Sequence, residues 1–219
     1  MPPAESNRAS DRPVPTDDFS PYGPSEPDLH GRDLEIIGFL ESEELTAFTF
    51  DGLRRSLNIH PETLSRSLDR LEEQGLVEKT PEGYRVSRRG RELIGAHPLS
   101  SRENPIPLVQ TVLPHDVTID QIASSLKGKW FGGLRWLGYS KNEDVTVLKW
   151  ITEDGTIRVD AKFSGEALDI EAKLLPGKSV DEAVRASHQL MSHIASVYAR
   201  PHRTRLVSFV VYDPYGMLA

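Results

Sequence analysis

The stretch PETLSRSLDRLEEQGLVEKTPEGYRV, residues 61–86, decides how the first half of the chain folds. Pro61 suits the first turn of a helix, where its missing N–H would have had no partner. Leu64, Leu68 and Leu71 then recur at helical spacing up to Gly75, a residue that enters the left-handed region at a helix end without steric cost. Residues 76–79 and 84–87 are short strand-like runs on either side of Thr80-Pro81-Glu82-Gly83, whose residue types favour a tight turn. The spacing predicts a helix over 61–74 followed by a hairpin.

Working outward, Leu34, Ile36, Ile37 and Leu40 supply the apolar stripe of a first helix over 32–45. After a Thr46-Ala47-Phe48 link, Thr49 is placed to cap a second helix carrying Phe50, Leu53 and Leu57 and ending near Asn58. Downstream of the hairpin, Ser87 is placed to cap a helix over 88–96 that turns Leu93 and Ile94 inward. Helix, helix, helix, hairpin, helix is the order of a winged helix-turn-helix, which assigns 32–96 to that domain. Residues 1–31 are rich in Pro, Ser, Asp and Glu without apolar periodicity and read as a disordered acidic tail. Residues 97–108, with three prolines, read as a linker.

Beyond the linker, residues 109–219 read as a second, α+β domain. Val109–Leu113 is a strand, and Thr118-Ile119-Asp120-Gln121 is a capping box opening a helix with Ile119, Ile122, Ala123 and Leu126 on one side. The period then changes to two. Residues 145–152, 156–164 and 167–175 form an antiparallel meander joined at Asp154-Gly155 and Gly165-Glu166, with one face packed and the other wet. Ser179-Val180-Asp181-Glu182 opens a helix of about 20 residues whose Val180, Val184, Met191, Ile194 and Tyr198 cover the packed face. Leu206–Tyr212, apolar at both parities, reads as a buried inner strand. The expected fold class is α+β: an N-terminal winged helix-turn-helix and a C-terminal antiparallel sheet with helices on one face.

Composition narrows the function. The 219 residues contain no cysteine, which excludes disulfides, thiolate metal sites, iron–sulfur clusters and cysteine nucleophiles. No apolar run approaches the ~18 residues of a bilayer span, so a cytoplasmic protein with no membrane partner is expected, nucleoid-associated if it binds DNA. The net charge of −7 is unevenly spread. Residues 1–31 carry −4, residues 32–100 carry −3 and residues 101–219 are neutral, so bulk charge says little about duplex binding, which depends on where cations cluster.

Thr63-Leu64-Ser65-Arg66-Ser67-Leu68, Arg70-Leu71-Glu72 and Gly75-Leu76-Val77 resemble the recognition helix and first wing strand of MarR/ArsR-type transcriptional regulators, notably archaeal ones. The following Ser-Arg-Arg-Gly-Arg-Glu-Leu-Ile resembles the segment after the wing in that group. The resemblance covers 32–96, under a third of the chain, and implies a DNA-binding regulator. Residues 109–219 resemble no family.

Physical reasoning leads the same way. The positive N-terminal end of a helix dipole favours approach to DNA by the front of the 61–74 helix, whose Glu62, Thr63, Ser65, Arg66 and Arg70 lie off the leucine stripe. Arg66 suits a guanine edge, and Thr63 or Ser65 a phosphate or a base. Glu62 suits cytosine, or serves only the helix N-terminus. Arg88, Arg89 and Arg91 open a helix against its own macrodipole, a cost that a phosphate would offset, and with Lys79 and Arg85 they make a basic patch of five within 13 residues. Regulators resembling this one often carry an acid near Arg88, and its absence here strengthens the case for backbone contact.

In the second half, Lys127-Gly128-Lys129-Trp130-Phe131-Gly132-Gly133-Leu134-Arg135-Trp136 interleaves cations, aromatics and glycine, the pattern of a stacking surface for single strands, of a lid over a pocket, or simply of a small core. Trp130, Trp136 and Trp150 are the candidate ligand residues, expected to cluster. His188 and His193 are five apart on a helix and do not stack as ligands, so no metal is expected. Asp160, Asp169 and Glu171 resemble paired catalytic carboxylates, but alternation with Arg158, Lys162 and Lys173 points to cross-strand ion pairs. No nucleophile elbow, Walker loop or dinucleotide fingerprint occurs, and neither enzymatic activity nor a cofactor is expected. The expectation is a sequence-specific regulator of double-stranded DNA. It would be a homodimer, its second half serving dimerisation, an effector or a protein of the transcription machinery. The alternative is a winged helix used for protein interaction, in which Arg88 and Arg89 pair with acids or cover an interface.

Overall fold

The computed structural model describes residues 29–42, 46–95, 105–198 and 210–211. The first half runs α1 (Gly31–Glu41), β1 (Ala47–Phe48), α2 (Phe50–Leu57), α3 (Pro61–Glu73), β2 (Val77–Thr80), β3 (Gly83–Val86) and α4 (Arg88–Gly95). The second half runs β4 (Ile106–Val112), α5 (Ile119–Leu126), β5 (Leu134–Lys141), β6 (Val145–Thr152), β7 (Ile157–Ser164), β8 (Ala167–Leu174), α6 (Val180–Tyr198) and β9 (Val210–Val211). The expected tail lies outside the described residues over 1–28, as do residue 96 of the expected fourth helix, 97–104 of the expected linker, and 206–209 and 212 of the expected last strand. The chain is mixed helix and strand, and its sheet is antiparallel throughout.

Local chemistry sets the helix ends. Thr49 caps α2 by accepting the Gly52 N–H at 3.1 Å, and α3 starts on Pro61 and stops before Gly75, which turns to φ 68°. Ser87 is buried and has two partners: its hydroxyl donates to the Gly75 carbonyl at 2.6 Å and accepts the Gly90 N–H at 2.9 Å. One serine thus fixes the exit of α3, the end of the hairpin and the start of α4 together.

The strands form one nine-stranded sheet in the order β2-β3-β1-β5-β6-β7-β8-β4-β9. Its joint is β1, read from the sequence only as a link. Phe48 lies opposite Tyr84 of β3 on one side and opposite Gly138 of β5 on the other, with Ala47 opposite Tyr139. Both junctions are tight. A Cβ on Gly83 would stand 2.1 Å from the Phe48 carbonyl oxygen, and one on Gly138 would stand 2.5 Å from that of Ala47. Glycine is therefore required at both contacts.

Two cores flank this sheet. One packs α5 and α6 on Leu148, Trp150, Val159, Ala161, Phe163 and their neighbours, as the alternation of β7 and β8 predicts. The other joins the leucines of α3 to Ile36, Ile37, Leu40, Phe48 and Leu53, and it takes in Leu137 of β5 and Ile151 of β6. Successive strand residues point to opposite faces, so Ile151 leaves the α6 core that Trp150 enters. The face expected to be wet is therefore partly covered by the N-terminal half. Deep in it, Lys149 and Asp160 are both buried and paired at 3.0 Å, with Arg158 Nε 3.4 Å from the same carboxylate. The β7–β8 register sets Asp160 opposite Glu171 and Arg158 opposite Lys173, like facing like, while Lys162 faces Asp169. Directly opposed residues are thus like-charged at two of these three positions, and Lys149 of β6 adds a counter-charge to Asp160 from outside the six.

Three further expectations change. Residues 134–141 form β5, which alternation hides because the β5–β6 register shifts between Trp136 and Gly138. β4 starts at Ile106, inside the expected linker. Among the described residues Val210–Val211 pairs with β4 and ends the strand order, at an edge and not in the interior.

Because Leu137 lies in the core that joins the halves, Leu137→Ala is expected to cost about 2–5 kcal/mol. Urea unfolding followed by far-ultraviolet circular dichroism should still show a single transition at lower midpoint. A biphasic curve in the wild type would show that the halves unfold separately.

Candidate nucleic-acid interface

Three elements carry the residues expected to touch DNA. α3 buries Leu64, Ser67, Leu68 and Leu71, which leaves Glu62, Thr63, Ser65 and Arg66 exposed on its outer side. Contacts to the second half run through β1 and α2, and the front of α3 is open to solvent. Lys79 and Arg85 stand on the hairpin, where Lys79 Nζ lies 5.7 Å from the Tyr84 ring centroid. Arg88 and Arg89 are exposed in the first turn of α4 and Arg91 is half-buried.

Three of these six cations already face acids of the same half. Arg66 bonds Glu62 at 2.5 Å one turn back, Arg85 bonds Glu78 across the hairpin at 2.9 Å, and Arg88 bonds Glu92 one turn on at 3.0 Å. The helical pairs have i, i+4 spacing, so the signal was present in the sequence, and Glu92 is the acid near Arg88 that the sequence reading had not counted. Exposed pairs of this kind contribute about 0.2–1 kcal/mol each, little enough for a phosphate to displace. They hold the guanidiniums in place without committing them.

Arg70 differs in kind. Its Nη2 donates to Asp33 Oδ1 at 2.8 Å and to Ser67 Oγ at 3.1 Å, and Asp33, in the first turn of α1, is 1% exposed. Arg70, expected to touch DNA, anchors α3 to α1 through this carboxylate while its side chain stays 41% exposed. The partners are 37 residues apart in sequence, and no local pattern announces them. Burial works against ionisation of Asp33. The Arg70 and Ser67 bonds and the His30 backbone N–H at 3.2 Å outweigh it and hold the carboxyl below its ordinary value.

The tryptophans separate. Trp136 and Trp150 meet edge-on at 5.3 Å and Phe131 lies 5.7 Å from Trp150, inside the α6 core. Trp130 stands outside this cluster, 59% exposed. An open cavity of about 300 Å³ lies nearby, lined by Gly133, Thr152, Glu153, Asp154, Thr156, Ile157 and Glu182, with no tryptophan in its wall. Its Asp154 is held strongly ionised, first by the Thr152 hydroxyl at 2.6 Å, and against a burial penalty also by Lys178 at 3.0 Å and Thr156. That carboxylate staples the β6–β7 turn. Among the described residues no three His, Asp or Glu side chains gather as metal ligands, and no helix is long and apolar enough to cross a membrane.

Set against protein-family models, curated proteins and solved structures, the chain matches none of them. Sequence reasoning passed over Arg54 and Arg55, half-buried at the end of α2 that leads into α3, with Arg54 Nε 3.4 Å from Asp51.

Arg70→Ala leaves Asp33 buried without its counter-charge and, because Arg70 is itself 41% exposed, is expected to cost about 1–3 kcal/mol at neutral pH. In the wild type the depressed Asp33 pKa gives stability that is present above the ordinary 3.8 and lost as pH falls through the folded value. In the variant that contribution is absent, so the gap between the two proteins should narrow as pH falls below the ordinary 3.8. Thermal midpoints from pH 7 to pH 3 measure it, and parallel curves for the two proteins would remove Asp33 from this role.

Proposed function

We propose that the N-terminal half is a winged helix-turn-helix that reads double-stranded DNA, with α3 in the major groove and the β2–β3 wing on the backbone. The observation that carries this reading is the exposed front of α3: Thr63, Ser65 and Arg66 stand outward from a helix whose leucines are buried. The order α1, β1, α2, α3, β2, β3, with β1 paired to β3, supports the winged arrangement. Wing and groove residues are fixed to one body by Ser87, so phosphate contacts can set the register in which Arg66 meets a base. A regulator of this kind uses the second half for dimerisation, for an effector or for a protein of the transcription machinery, and a dimer would bind an inverted repeat.

A second reading, a module for protein interaction, draws on a specific observation. Arg66, Arg85 and Arg88 are each matched to an acid of the same half, and the outer side of α3 also carries Asp69, Glu72 and Glu73. Titration of a random duplex at low salt separates the two, because an interaction module has no affinity there while a DNA reader binds and weakens steeply with salt.

On the DNA reading, Arg66→Ala is expected to weaken specific binding by about 1–3 kcal/mol and relax one base position. Arg88→Ala and Arg89→Ala are expected to weaken all duplexes alike and lower the salt slope by about one each. Identical losses for all three variants on selected and random duplexes would sink this division of roles.

A further inference from the structure

We infer that Trp130 and the cations around it form a second nucleic-acid site, one that takes a single strand by stacking a base on the indole. Trp130 is the one aromatic among the strongly exposed large apolar side chains of the described residues. Its exposure is built in, because the chain is anchored on both sides of it. The Lys129 carbonyl accepts the Trp150 Nε1–H at 2.9 Å. Phe131 exchanges backbone bonds with Leu134 at 3.0 and 2.8 Å and is buried, its ring 4.4 Å from that of His193 on α6. With residues 129 and 131 both fastened to the α6 core, the indole between them cannot fold inward.

The surroundings select the ligand. The Arg135 guanidinium lies 4.7 Å from the indole centroid and that of Arg55, from the end of α2, lies 5.8 Å away. Lys129 is exposed next in the chain, and Lys127 is drawn 3.4 Å over the Tyr139 ring. Glu153 joins them, bonded to Arg135 at 2.9 Å and itself largely exposed. A cationic ligand is repelled here, and a neutral aromatic would leave the cations unmatched. A flexible polyanion that carries flat rings satisfies both features, and it is single-stranded nucleic acid that presents unstacked bases alongside phosphates. A duplex keeps its base faces hidden. The site needs no contact with α3, so it stands or falls apart from the proposed reading of duplex DNA.

The test adds an oligothymidylate of about ten nucleotides to the full chain at low salt and follows tryptophan emission. Wild-type protein should bind and lose the emission of its exposed indole, with a salt slope near −2 if about three phosphates are met. Trp130→Ala should weaken binding at least about fivefold, while Trp130→Phe, which can still stack, should retain most affinity but show no quench. Because the indole is exposed, both variants should melt with the wild type, and Arg66→Ala should leave this binding unchanged. Absence of oligothymidylate binding, or equal affinity for Trp130→Ala and wild type, would overturn the site. So would a Trp130-dependent affinity for duplex equal to that for the single strand, or equal quenching by polyglutamate, since either would show a general anion patch.

Discussion

Two residues hold the architecture together. Ala47 and Phe48 take ladder bonds from the wing on one side and from β5 on the other, so the hairpin beside α3 and the large C-terminal sheet are a single hydrogen-bonded surface. A two-residue strand could not persist alone, since each isolated pairing gains little against the entropy of ordering it. It persists because Phe48 is fully buried and packs its ring 5.0 Å from Phe39, and because Thr49 directly after it is tied to β5 through its N–H, 2.9 Å from the Leu137 carbonyl. Leu137 and Ile151 then extend the helical core across the joint. Sheet, cap and core act at one place, and the close approaches at Gly83 and Gly138 follow from it.

The same joint decides which surfaces remain. α2 lies against the second half, so its end, with Arg55, comes to the Trp130 loop, while α3 is left with its front in solvent. The two candidate surfaces therefore arise from neighbouring helices of one rigid body. Their electrostatics differ. On α3 and the wing, Arg66, Arg85 and Arg88 are held by acids one turn or one strand away, which lowers the net field there. Around Trp130, Glu153 pairs with Arg135, and the guanidiniums of Arg135 and Arg55 lie over the indole ring.

How much of this could be read from the sequence depends on the range over which each feature is determined. The helices and the β6–β8 meander were legible because their signals are local: leucines at helical spacing, capping residues at Thr49, Thr118 and Ser179, and strict alternation about Gly155 and Gly165. β1 was not, since two residues carry no period, and β5 was not, since its bulge breaks the alternation. Of the site, Thr63, Ser65 and Arg66 were correctly placed on an exposed helix face, and the acids beside Arg66 and Arg88 were recoverable from i, i+4 spacing. The structural use of Arg70 was not recoverable, because its partner Asp33 reaches it only through the packing of α1 on α3. The wet face failed for the same kind of reason: alternation shows that a second face exists, and only tertiary packing shows that α2 covers part of it.

A shared sheet also constrains how the halves can influence one another. A flexible linker would let each half reorient at little cost, whereas here any relative movement must break the β1–β5 ladder or draw Leu137 and Ile151 out of a core that contains Leu53 and Phe48. Withdrawing two such side chains costs about 3–6 kcal/mol before any hydrogen bond is counted. That is as much as the differential affinity needed to move a two-state equilibrium from one side to the other. Coupling between the halves is therefore cheapest as small displacements carried along α2 and β1, which join the loop beside Trp130 to the base of α3, and costly as a hinge.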